Sequence, residues 1–164
     1  MEIFDLLLIL SILSCSLVTG FIFTYAVVVM PGLSQLNDKE FLKAFQATDA
    51  VIQNKQPIFM VIWVGSIVSV LSLILISIVY VGLSETWLVV LVALIYLMGV
   101  QGITILIHLP LNNQIQKLNL EKLNDENLKN ERLNFEIKWN FFNNIRTTIA
   151  FFVSLTLLIV LTIP

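Results

Sequence analysis

Four stretches of the chain are apolar for long enough to cross a bilayer, and most polar residues fall between the first and second and between the third and fourth. From Ile3 to Met30 the only charge is Asp5, and Met30-Pro31-Gly32 closes the run. At about 1.5 Å per residue, a helix of that length exceeds a hydrocarbon core of about 30 Å. Glu2 and Asp5 stand where a cleaved leader carries lysines, and no small-residue exit follows, so the segment is expected to stay as an anchor. Pro57 suits a first helical turn, and a second span runs from Ile58 to about Gly82. Its serines Ser66, Ser69, Ser72 and Ser77 can bond back to upstream carbonyls. Ser84-Glu85-Thr86 is expected as a tight turn, followed by a third span from Trp87 to about Leu109, where Pro110 ends or kinks the helix. The last span is expected from about Ile145 to Ile163.

The connecting segments carry helical signals of their own. Asn37 can cap a helix over about 38–53 and Glu40, three residues on, can answer it as in a capping box. Phe41, Phe45, Thr48 and Ile52 then recur at three or four, opposite Lys39 and Lys43, which predicts an amphipathic helix on the membrane or against the bundle. Gln46, Asp49 and Gln53 make a second, polar stripe, for which a solvated face is the simpler reading. From Leu111 to Asn144 the chain is strongly polar, with Leu118, Leu123, Leu128, Leu133 and Ile137 set among Asn, Lys and Glu. That pattern predicts helical extensions of spans three and four, joined near Asn124-Asp125-Glu126-Asn127.

Composition agrees with a bilayer: 58% of the 164 residues are hydrophobic and 12% charged, against roughly 45–50% and about 25% in soluble domains. The reading is therefore an all-α fold, one integral membrane four-helix bundle over residues 1–164 with cytoplasmic helical extensions. Nine Lys+Arg against eleven Asp+Glu leave a net charge of −2 and none of the basic excess that neutralising phosphates requires, so nucleic acid is not the partner. The lipid bilayer is. One cysteine, Cys15, and one histidine, His108, exclude an internal disulfide and a Cys/His structural zinc. Every basic residue lies in the first or third loop or at the edge of the last span. The positive-inside rule then makes both loops cytoplasmic and puts both termini outside. Tyr80 and Trp87 near the outer edge, and Tyr25, Trp63 and Trp139 near the inner one, fit interfacial aromatic belts.

Candidate chemistry is sparse. Gln101, Thr104 and His108 follow at i, i+3 and i+7, with Asn112 four residues later, so the third span carries one polar stripe that should face the bundle. For Gln101 and Thr104 interhelical hydrogen bonding is the simpler role. His108 has the only side chain here that ordinarily titrates near neutrality and could move a proton. Trp139, Asn143 and Arg146 share a face at the start of the last span, and Arg146 must either snorkel to headgroups or meet an acceptor inside. Turned inward, it would stand level with His108 and Asn112 in a polar mouth. Ser16, Gly20 and Thr24 offer a small-residue packing face on the first span. There is no glycine-rich phosphate loop, nucleophile elbow or dinucleotide fingerprint. One axial ligand can suffice for haem, but nothing beyond His108 favours it.

In order along the chain, Met30-Pro31-Gly32-Leu33, Phe41 with Gln46, Pro57 with Phe59, Pro110-Leu111-Asn112 and Asn143-x-x-Arg146-Thr147 resemble the anthrone oxygenase-like family of small four-helix membrane proteins. Most bacterial members of that family have no assigned activity. The sequence departs from the family pattern in having His108 where an asparagine is common, Phe142 where a tryptophan is common and Asn144 where a histidine is common. The resemblance implies oxidation of a phenolic or anthrone-type lipophilic substrate by O2 without metal, flavin or other cofactor, in a bacterial cytoplasmic membrane. In that scheme His108 is the expected base on its chemistry and not on its family position, with Arg146, Asn112 and Asn143 as donors to the enolate and Gln101 as a further substrate-binding side chain. A second reading stays open from the residues themselves: a non-catalytic membrane protein that binds or passes a small lipophilic molecule or supports a partner complex. No feature of the sequence sets an oligomeric state.

Overall fold

The computed structural model describes residues 2–162. They form helices α1 (Ile3–Leu33), α2 (Asp38–Gln53), α3 (Pro57–Val81), α4 (Leu83–Gln116) and α5 (Asp125–Thr162), with one 3-10 turn, Leu120–Lys122, before α5. There is no strand among the described residues. Helices α1, α3, α4 and α5 are each long and apolar enough to cross a membrane, which makes this an integral membrane bundle. They pack as a square, α1 against α3 and α5, and α4 against the same two. Their outer faces are apolar and exposed, as at Val61 and Leu106, both 73% accessible, because lipid rather than protein covers them.

The helix ends differ from the expected ones for physical reasons. Met30-Pro31-Gly32 does not close the first span. The turn before it, Tyr25–Val29, is a π-helical turn in which the Met30 N–H bonds to the Tyr25 carbonyl five residues back. The same device precedes Pro110, where the turn Thr104–His108 ends with the Leu109 N–H on the Thr104 carbonyl, and α4 runs on to Gln116. A wider turn shifts the hydrogen-bond register ahead of the residue that has no N–H to give, so the chain stays helical past it. Ser84-Glu85-Thr86 is the first turn of α4 and not a loop. The reversal is confined to Gly82, whose φ of 107° is open to glycine and strained for other residues. The Thr86 hydroxyl closes it, donating to the carbonyls of Ser77 at 3.1 Å and Gly82 at 2.8 Å. The joint of the third loop lies at residues 117–124, so Asp125, Glu126 and Asn127 belong to the first turn of α5, capped by Asn124 Oδ1 on the Asn127 N–H at 2.9 Å. Of the last expected span, Ile163 lies outside the described residues.

The core is in two parts. Within the bundle Leu8, Cys15, Ile22, Leu73, Tyr96 and Leu157 pack together. Beyond it, α2 folds back over one end of the bundle and buries Phe41, Phe45 and Leu42 against Ile115, Phe135 and Trp139. Asn37 Oδ1 accepts from the Glu40 N–H at 2.9 Å, the predicted start of α2. Gln46 Nε2 donates to the carbonyls of Ile115 at 2.8 Å and Leu118 at 3.1 Å, and Arg132 of α5 reaches the carbonyls of Leu36 and Ser34. Lys39 pairs with Glu121 at 2.7 Å. The first and third loops therefore meet at the same end of the bundle. The exposed pair is worth little by itself; the buried aromatics and the amide bonds to backbone carbonyls hold α2 in place.

Candidate functional site

Where α2 caps the bundle it covers a partly open cavity of about 290 Å³, near the lower end of the range of about 300–1,000 Å³ usual for small-molecule sites. Its walls are aromatic. Phe59 and Trp63 of α3 stack at 5.2 Å and 25°, Phe21 of α1 stands 5.0 Å from Phe59, and Tyr25 lies 5.7 Å from Trp139 of α5. Tyr25, Trp63 and Trp139 are thus cavity residues and not the inner interfacial belt expected of them, with Trp139 only 3% exposed. On the opposite edge Tyr80 and Trp87 are exposed.

The polar side chains of the cavity come from three helices. From α4, the stripe of Gln101, Thr104, His108 and Asn112 lines it. From α5, Arg146 turns inward and is 5% exposed. Its Nε donates to Asn143 Oδ1 at 2.9 Å and its Nη1 to Thr104 Oγ1 at 2.9 Å, while its guanidinium carbon lies 5.7 Å from the centre of the Trp139 ring. No carboxylate pairs with it among the described residues. A buried cation without a counter-ion is costly, and two oxygen acceptors with one aromatic face are what offset that cost here. The Nη2 amino group has no protein acceptor among the described residues and is left to the cavity.

Asn143 is fully buried and does not line the cavity. Its Nδ2 donates to the Ile22 carbonyl at 3.2 Å, which fixes the orientation of the amide oxygen that holds Arg146. Gln101 ties α4 to α3, its Nε2 donating to Tyr96 Oη at 3.0 Å and Ser66 Oγ at 3.2 Å, while its Oε1 is buried without a partner among the described residues. His108, 2% exposed, meets the Trp139 ring edge to face at 5.0 Å. Neither ring nitrogen has a hydrogen-bond partner among the described residues.

Helix α2 supplies a residue that the spacing alone hid. Of the stripe of Gln46, Asp49 and Gln53, Gln53 stays exposed, Gln46 is half-buried and Asp49 turns into the bundle, 1% exposed. Asn112 Nδ2 donates to Asp49 Oδ1 at 2.7 Å, and Gln116 Nε2 and Gln53 Nε2 donate to Oδ2 at 2.9 and 3.2 Å. Asn112 Oδ1 in turn accepts from Trp139 Nε1 at 3.0 Å. A continuous wall of Asp49, Asn112, Trp139 and Arg146 therefore joins the two charged groups of the cavity.

A family model described as anthrone oxygenase matches residues 53–156. The chain belongs to the anthrone oxygenase family. No curated protein matches it, and no solved structure does. Within the matched range fall Pro57 with Phe59, Pro110-Leu111-Asn112 and Asn143-x-x-Arg146-Thr147; Met30-Pro31-Gly32-Leu33, Phe41 and Gln46 precede it. In this anthrone oxygenase family member the matched pieces sit around the cavity, where Phe59 forms wall, Pro110 follows the π-helical turn that carries His108, and Asn143 positions Arg146. Among the described residues no three His, Cys, Asp or Glu side chains gather to hold a metal.

Proposed function

We propose that this member is a cofactor-independent membrane oxygenase that converts an anthrone-type substrate to the quinone with O2. Family membership and an aromatic-walled cavity support the substrate class: a flat, fused-ring ketone stacks on Phe59 and Trp63 and reaches the cavity through lipid. The observation that carries the reading is that the His108 imidazole and the Arg146 guanidinium, neither of them paired with a carboxylate among the described residues, line one aromatic-walled cavity. His108 takes a proton from the acidic ring methylene, and the electron pair moves to the carbonyl oxygen, where Arg146 stabilises the enolate. The enolate carbon gives its electrons to O2 and forms a C–O bond as a hydroperoxide. Loss of the second C–H proton breaks the O–O bond and leaves a carbonyl and one water. The burial of Arg146, 5% exposed, strengthens its hold on the developing charge. Asn112 and Asn143 act at one remove, the first through Trp139 and Asp49 and the second by orienting the guanidinium.

The loops that meet beneath α2 carry eight of the nine basic residues, with Arg146 the ninth, and we place that end in the cytoplasm, both termini on the far side. An oxygen electrode tests the function with purified protein in detergent. Anthrone-dependent O2 uptake, lost in Arg146→Ala and His108→Ala, is the expected result. No uptake together with tight anthraquinone binding would instead establish a binding or transport protein. A Soret band in the same sample would overturn the cofactor-free chemistry.

A further inference from the structure

The proton-moving and oxyanion-holding groups of the proposal do not use Asp49. A carboxylate has about four acceptor positions. On Asp49, Oδ2 accepts two N–H bonds, from Gln116 at 2.9 Å and Gln53 at 3.2 Å, whereas Oδ1 accepts one, from Asn112 at 2.7 Å. The remaining Oδ1 position has no donor from the protein, and Asp49 lines the cavity that Arg146 also lines. No lysine, arginine or histidine pairs with this carboxylate among the described residues. Three amides from two helices thus aim an acidic acceptor, 1% exposed, into an aromatic-walled space. An acceptor held this way discriminates strongly for a ligand that carries a donor, because a ligand without one leaves a desolvated lone pair unpaired.

We propose that Asp49 binds a free phenolic hydroxyl of the substrate while Arg146 holds its carbonyl, so that the cavity selects aryl ketones hydroxylated away from the carbonyl over their unsubstituted parents. The selection rests on the reading of the cavity as an anthrone site. The wall through Asn112 and Trp139 sets the spacing between the two groups, and with it the ring position whose hydroxyl fits. A hydroxyl beside the carbonyl is tied to it internally and has no proton left to give.

The test titrates the full chain, in detergent and in mildly acidic buffer that keeps the phenol protonated, with anthraquinone, 2-hydroxyanthraquinone and 2-methoxyanthraquinone. Quenching of Trp63 and Trp139 in a Trp87→Phe background reports binding. The expected result is that the hydroxyl compound binds at least about ten-fold more tightly than the other two, a hydrogen bond to a charged acceptor being the difference. Asp49→Asn and Asp49→Ser are expected to bring the three affinities together by weakening only the hydroxyl compound, and Asp49→Glu to keep the order. Retained anthraquinone binding by each variant shows that it is folded. Equal affinities in the wild type, or a hydroxyl preference that survives Asp49→Asn and Asp49→Ser, overturn the role of Asp49 and leave the anthrone site standing. Binding of none of the three compounds by the wild type overturns the site itself and the selection with it.

Discussion

Arg146→Lys separates the charge of the guanidinium from its shape. Arginine here spends one N–H on Asn143 Oδ1 and one on Thr104 Oγ1, both at 2.9 Å, which leaves three of the five that a guanidinium carries, two of them on Nη2. A lysine ammonium has three N–H groups on a single atom and cannot span Asn143, Thr104 and a ligand oxygen in the same plane. The substitution keeps the positive charge and loses one directed donor to the enolate. Loss of such a donor costs about 2.7–4 kcal/mol in the transition state, or about a hundred- to thousand-fold in kcat. Stacking on Phe59 and Trp63 is untouched, so KM should change by no more than about three-fold, since that term is common to ground and transition states. Anthrone-dependent O2 uptake measures both parameters, and a detergent-stable monodisperse sample controls for folding. A folded Arg146→Lys protein that turns over within about three-fold of wild type would refute directed donation by the guanidinium.

Other predictions test the frame around the cavity. A Cβ on Gly99 would lie 2.8 Å from Ile149 Cδ1 and 3.0 Å from its Cγ2, so Gly99→Ala should destabilise the contact between α4 and α5 by about 1–3 kcal/mol in denaturant titrations, and Ile149→Ala should relieve it in the double variant. Lys39 holds the Glu121 carboxyl below the usual range through a hydrogen bond and its charge. A carboxylate depressed in the folded state contributes above its unfolded pKa and stops contributing as pH falls through the folded one. Carbon-13 NMR should accordingly show Glu121 titrating at higher pH in Lys39→Met. Cysteines placed at Lys39 and Lys122 should both react with an impermeant maleimide only when the cytoplasmic face is open; reaction from opposite sides would sink the shared orientation of the two loops.

Much of this architecture is legible in the chain because hydropathy is averaged over a span. Ile58 to Gly82 is apolar whatever its neighbours do, and the helix Pro57–Val81 follows within a residue. Ends depend on single hydrogen bonds, and there the pattern misleads: Pro31 and Pro110 punctuate the sequence, yet each follows a π-helical turn that lets the helix continue. The polar stripe of Gln101, Thr104, His108 and Asn112 was readable because hydrocarbon does not tolerate it on the lipid face. The burial of Asp49 was not, since an i, i+3, i+7 polar stripe looks the same whether it meets water or the amides of Asn112 and Gln116. Trp63 and Trp139 were misplaced for a related reason. A tryptophan near a span end suits a headgroup belt and a cavity wall equally, and only the fold of α2 over the bundle decides between them.

Deprotonation without oxygen isolates the chemical claim. Anthrone mixed anaerobically with excess protein should develop the enolate absorption in the wild type and not in His108→Ala or Arg146→Ala, and admission of O2 should convert it to anthraquinone. Rapid O2 consumption by a protein that forms no enolate under nitrogen would contradict proton removal and enolate stabilisation as the source of its activity.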